Sequence, residues 1–138
     1  MAIRSELTQA EREFLHEVRY AVLGTTNENG SPHLTVMWYV LDGVEIMFNT
    51  AAGRRKPDNL ARDPRASIIV PDAYRFVRVD GTVRAHDDQA AAQADIRRLA
   101  LRYYQSEERV QRSVDATWAK QHRITYRMPV RRVYSDGF

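Results

Sequence analysis

Two dipeptides, Asn29-Gly30 and Asp42-Gly43, constrain this chain more than any other feature. Each sits between runs rich in β-branched and aromatic residues: 20–26 and 33–41 around the first, 33–41 and 44–50 around the second. Asn-Gly and Asp-Gly favour the tight turns that match the right-handed twist of a hairpin. Strands joined this way are antiparallel neighbours, so the pattern argues against a βαβ fold. Further strand-like runs cover 66–70, 74–85 (with Gly81 as a bulge), 124–128 and 130–134, the last two separated by Pro129. About six or seven strands with a few short helices predict a mainly β, α+β domain built as a small antiparallel barrel. Thr8-Gln9-Ala10-Glu11 reads as a capping box opening a helix whose apolar face is Phe14, Leu15 and Val18. Asp87 or Asp88 caps a second helix carrying Ile96, Leu99, Ala100 and Tyr103, and 107–119 reads as helix and loop.

The 138 residues read as one domain, 1–138, with a core-forming hydrophobic share of 43%. No apolar run approaches membrane-spanning length and no signal-peptide pattern opens the chain, which points to the cytoplasm. The absence of cysteine excludes disulfides, thiolate catalysis, iron–sulfur clusters and zinc fingers. His16, His33, His86 and His122 make no metal-ligand spacing, so no metal is expected. No hydrolase, nucleotide-triphosphatase or Rossmann fingerprint is present. The net charge of +3 suits an anionic small ligand as well as nucleic acid. The basic residues are nevertheless spread along the chain rather than interleaved with aromatics on one face.

The chemistry-bearing segment is Gly53-Arg54-Arg55-Lys56-Pro57-Asp58-Asn59-Leu60. Three cations precede a proline suited to the first turn of a helix. Free amide donors and the positive end of the helix dipole would then reinforce the cations, which describes a phosphate or oxyanion site. Thr50, at the end of the preceding strand, adds a hydroxyl, and Asn59 lies one helical turn past Lys56. The competing reading is a solvated basic turn. Trp38-Tyr39 would stack on a ring system or fill the core, and Tyr103-Tyr104 reads as helix–barrel packing.

These features resemble the pyridoxamine 5′-phosphate oxidase-like split β-barrel superfamily. The resemblance is carried by Asn29-Gly30-Ser31-Pro32-His33, by Phe48-Asn49-Thr50 through Lys56 to Asn59-Leu60, and by Arg62-Asp63-Pro64-Arg65-Ala66-Ser67. It implies a homodimeric barrel with cofactor sites at the interface, holding FMN, coenzyme F420 or sometimes haem. It further implies that Arg55 and Lys56 grip the cofactor phosphate, with Arg54 and Asn59 assisting and Asn49 and Thr50 lining the same end. Thr35, Val36, Met37 and Trp38 would run along the cofactor ring, and Tyr74 and Phe76 would approach from the neighbouring subunit. The chain lacks an arginine-rich C-terminal arm, and Thr35 stands where FMN-binding oxidases carry an arginine. Both departures argue against vitamin B6 oxidation and for the branch resembling F420-dependent reductases. The expected activity is hydride transfer from reduced F420 to a small electron-poor acceptor, with solvent, Tyr39 or His33 as proton donor. The alternatives are an FMN-dependent oxidoreductase, a non-catalytic F420- or FMN-binding carrier, and a basic nucleic-acid-binding barrel.

Overall fold

The structure is a computed structural model and describes residues 3–138. Helix α1 (Gln9–His16) leads into β1 (Ala21–Thr26), β2 (Pro32–Met37), β3 (Val40–Asp42) and β4 (Glu45–Ala51). Helix α2 (Arg55–Arg62) precedes β5 (Arg65–Asp72), β6 (Arg75–Thr82) and β7 (Arg84–His86). Helices α3 (Gln89–Tyr104) and α4 (Glu107–Ala116) and a 3-10 turn (Trp118–Lys120) follow, and β8 (Arg123–Pro129) and β9 (Arg132–Asp136) close the chain. One sheet has the order β2-β1-β5-β6-β9 and the other β3-β4-β8-β7, and every pairing among these strands is antiparallel. Together they form the small antiparallel barrel that the hairpin signals predict, split as the resemblance implies. Its interior is filled by Leu23, Phe48, Ile68, Val79, Met128 and Val133, closed at one end by Phe14 and Leu15 of α1. No described helix is long and apolar enough to cross a membrane.

Two expected strands are each divided, which raises the count to nine. The run 33–41 leaves the first sheet after Met37 and re-forms in the second sheet at Val40. Tyr39 drives the corner: it is fully buried, its hydroxyl donates to the Leu15 carbonyl at 2.8 Å, and its N–H donates to the Tyr103 hydroxyl at 3.1 Å. A backbone amide satisfied by a side chain no longer needs the ladder. The run 74–85 is divided in the same way at Val83, which is buried and whose N–H donates to the Pro64 carbonyl at 2.9 Å.

Gly81 is not a bulge, because it pairs in register with Ala66. The glycine is needed for another reason: a Cβ there would lie 3.0 Å from Met128 Cγ, so the two sheets could not approach this closely.

The capping box forms as expected: Glu11 N–H donates to Thr8 Oγ1 at 3.2 Å, and Thr8 N–H donates to Glu11 Oε1 at 2.7 Å. Glu11 is solvent-excluded and also ion-paired with Arg4, which tethers the chain start to the helix. Val18 lies beyond the end of α1 and is exposed, so the apolar face is Phe14 and Leu15 alone. Arg102 of α3 caps the other end by donating to the carbonyls of Leu15, His16 and Glu17. Of the two candidate caps for α3, Asp88 is the one used, accepting from Ala91 N–H at 3.1 Å.

Candidate functional site

A cleft of about 260 Å³ opens where the end of β2 and β4 meet the start of α2, the flank of α3 and the entry to β8. Its apolar side is Val36, Met37, Trp38, Ile96, Leu99 and Trp118; its polar side is Asn49, Thr50, Arg54, Lys56 and Arg123. Gly53 makes the turn from β4 into α2 possible, with φ at +86°, a conformation costly for any residue with a side chain. Arg54 is the N-cap of α2 and provides no side-chain cap, so the helix's first amides and its positive dipole end have no internal acceptor from that residue.

Seven of the residues singled out from sequence therefore share one cleft: Val36, Met37, Trp38, Asn49, Thr50, Arg54 and Lys56. The others do not line it. Arg55 borders a separate depression of about 620 Å³ with Asn27, Glu28, Asp58 and Arg62. Asn59 is buried and ties α2 to β1: its amide donates to Thr25 Oγ1 and Asn27 Oδ1, each at 3.1 Å, and its carbonyl accepts from Arg62 at 2.8 Å. Thr35 is half-buried on β2 with an unpartnered hydroxyl. Tyr74 is 93% exposed at the β5–β6 turn, and Phe76 pairs with Asp136 on β9, so neither reaches the cleft of its own chain.

The polar side carries unusual electrostatics. Burial pulls the Lys56 ammonium down from its ordinary range, and the nearby charges of Arg54 and Arg123 lower it further. Arg123 is only 4% exposed, and burial together with Arg54 lowers it to about 10. Its guanidinium donates to Asn49 Oδ1 at 2.9 Å and to Gln121 Oε1 at 2.6 Å, both neutral acceptors. Among the described residues no carboxylate lines the cleft to balance these cations. The Thr50 hydroxyl is buried in the same wall and has no hydrogen-bond partner among the described residues. Buried charge without a counter-charge and a buried orphan hydroxyl are both costly to the fold. Their convergence gives the cleft the chemistry that would suit an anion.

On the apolar side Trp38 is held rigidly. It stacks on Tyr103 at 5.1 Å between centroids and 9° between planes, with Tyr104 and Trp118 edge-on to it. Tyr103 and Tyr104 are thus packing residues, as expected. Tyr39, one of the three expected proton sources, is corrected: its hydroxyl is committed to the Leu15 carbonyl inside the core, and burial raises its pKa. Arg123 and Trp118 escaped the sequence reading, and Ile96 and Leu99 entered it only as the apolar face of a helix. Arg123 is diagonal to Asn49 across the β4–β8 ladder, where Asn49 pairs with Thr125. Only that non-local register could have revealed it.

Residues 7–127 match the pyridoxamine 5′-phosphate oxidase family. The chain belongs to this family. Solved structures agree on the fold of this family member. An F420 reductase is 22% identical over 93% of this chain and 98% of its own, with a TM-score of 0.75. A conserved hypothetical protein of Mycobacterium tuberculosis is 29% identical over 96% of this chain and 86% of its own, also at 0.75. The haem storage protein HutZ of Vibrio cholerae is 17% identical over 96% of each chain, with a TM-score of 0.71. The fold is thus shared by proteins named for reduction and for haem storage.

Proposed function

We propose that this family member is an F420-dependent reductase that transfers a hydride to a small electron-poor organic acceptor. The observation that carries the reading is the cleft itself: uncompensated Arg54, Lys56 and Arg123 with the orphan Thr50 hydroxyl at one side, and a rigid apolar wall at the other. A planar ring joined to a phosphate needs both. When bound, the deazaflavin supplies the hydride; the protein supplies position and electrostatics. Arg54 and Lys56 would hold the phosphate, with the α2 amides and Thr50 as further donors. Residues 36–38 would support the ring, with Trp38 locked in place by Tyr103. Arg55 lies on the separate depression, with Glu28 and Asp58, and takes no part in this cleft. A cleft of about 260 Å³ is small for a whole cofactor, which supports a homodimer in which Tyr74 and Phe76 of a second copy complete the site. With Tyr39 committed to the core and His33 paired with Thr25 outside the cleft lining, solvent supplies the proton.

FMN would satisfy the same cleft and is the second reading within the enzyme class. The haem storage relative favours a third, non-catalytic binding. Parallel fluorescence titrations of the cofactor-stripped protein with F420 and FMN separate these. Tight F420 and weak FMN binding, followed by turnover of reduced F420 with an acceptor screen, is the expected result. The reverse preference moves the protein to flavin chemistry, and binding of neither removes the oxidoreductase reading.

A further inference from the structure

Arg123 lies 67 positions beyond Lys56 in sequence and on a different element, yet it is the best-organised cation of the cleft. Gln89 clamps its backbone from both sides: the Gln89 carbonyl oxygen accepts from Arg123 N–H at 2.9 Å, and its amide donates to the Arg123 carbonyl at 2.8 Å. Asn49, which accepts from Arg123 Nε, is itself fixed by donating to the Ala92 carbonyl and to Thr125 Oγ1, each at 3.0 Å. The guanidinium has five N–H donors, and the two recorded bonds leave the rest of the fork for the cleft. A structural arginine would be expected to end on a carboxylate or to reach water. This one is buried, oriented by neutral amides, and faces two more cations.

The charge count then sets the ligand. The exposed Arg54, the half-buried Lys56 and the buried Arg123 line the cleft, and among the described residues no carboxylate does. A singly charged anion would leave most of that positive charge uncompensated. We propose that Arg123 is a direct ligand of the bound anion, and that the site takes at least two negative charges, on one group or on adjacent groups of one ligand. This deepens the function proposed above and rests on its placing of the cofactor's anionic end in this cleft. The chemistry has two sources: a phosphomonoester, as in FMN, or a phosphodiester with carboxylates close by, as in F420.

The test uses the cofactor-stripped protein and calorimetric titration with methyl phosphate and dimethyl phosphate at pH 8. Methyl phosphate is expected to bind at least about tenfold more tightly, because it carries the second charge. Arg123→Gln is expected to weaken methyl phosphate about ten- to a hundredfold. Arg123→Lys, which keeps a charge without the fork, is expected to fall between, and it serves as the readout should the glutamine variant fail to fold. Equal binding of the two esters overturns the charge requirement, and unchanged affinity in either folded variant overturns the role of Arg123. Titrating wild type and variants with FMN and F420 then identifies the source. Arg123-dependent methyl phosphate binding without binding of either cofactor sinks the cofactor reading and keeps the anion site. Cofactor binding indifferent to Arg123 does the opposite.

Discussion

Replacing Lys56 by alanine should weaken cofactor binding and at the same time leave the unliganded protein as stable as before, or more so. The two effects come from one cause. In the free protein, burial and the charges of Arg54 and Arg123 all oppose the Lys56 ammonium, so its removal relieves cost. In the complex, the ammonium makes a charge-assisted contact to phosphate, worth about 1.5–3 kcal/mol. At 1.4 kcal/mol per tenfold, the dissociation constant should rise by about ten- to a hundredfold. Thermal unfolding of the free protein should shift upward or not at all, on a scale of roughly 3–5 °C per kcal/mol for a chain of this size. The pH dependence has a definite sign. Because the folded-state pKa of Lys56 lies below its ordinary 10.5, the folded state gains stability as pH rises through the lowered value toward 10.5. Cofactor affinity should fall over the same window, and both trends should be weaker in Lys56→Ala, the remainder coming from Arg123, itself lowered to about 10. The assay is fluorescence titration with F420 and FMN beside thermal melts of the stripped protein. A variant that melts well below wild type, or binds both cofactors with unchanged affinity, would refute the reasoning.

Glu11→Ala should cost about 2–4 kcal/mol in denaturant unfolding, because it removes the capping box partner and the ion pair to Arg4 together. Burial alone would raise the Glu11 pKa, but bonds from Arg4, Ser135 and Thr8 hold it at about 2, so this stability should be intact above about 4.5 and decline as pH falls toward 2. Gly81→Ala should cost about 1–3 kcal/mol, since the new methyl would meet Met128 Cγ at 3.0 Å and the Pro129 carbonyl at 3.4 Å; an unchanged melting curve would show that Met128 moves freely. Tyr39→Phe should cost about 0.5–1.5 kcal/mol for the lost bond to Leu15 while leaving turnover with reduced F420 within about twofold; a collapse of turnover in a folded variant would restore Tyr39 as the proton donor.

Features that depend on neighbours along the chain were legible in the sequence. The turns at Asn29-Gly30 and Asp42-Gly43, the capping box at Thr8 and the helix opening near Arg55 are all local rules, and the structure has each of them. The strand breaks at Tyr39 and Val83 were not legible. Both residues read as ordinary strand members, and what ends the ladder at each is an acceptor supplied from far away, the Tyr103 hydroxyl in one case and the Pro64 carbonyl in the other. The same reasoning explains Gly81. A glycine within a strand signals either a bulge or a close approach. The choice depends on Met128, which only the packing of the two sheets brings near.

The cleft follows this division as well. Its half from residues 36–56 is contiguous enough to be read from pattern, whereas its half from residues 96–123 is assembled by register. The consequence is physical as well as interpretive. A cationic run such as Arg54-Arg55-Lys56 taken alone is what a solvated turn looks like, and its Arg55 does border a different depression. What separates a site from a turn is the cation that folding brings in from elsewhere at a cost. Arg123 adds a buried charge beside the exposed Arg54 and the half-buried Lys56, so folding alone gives no reason for it to be there. A bound polyanion supplies that reason, because the interaction lost by the free protein is recovered by the complex. Saturating phosphomonoester should therefore raise the melting temperature of wild type more than that of Arg123→Gln, although the variant has the lower repulsion when unliganded. A larger ligand-induced shift in the variant would mean that Arg123 belongs to the fold and not to the site.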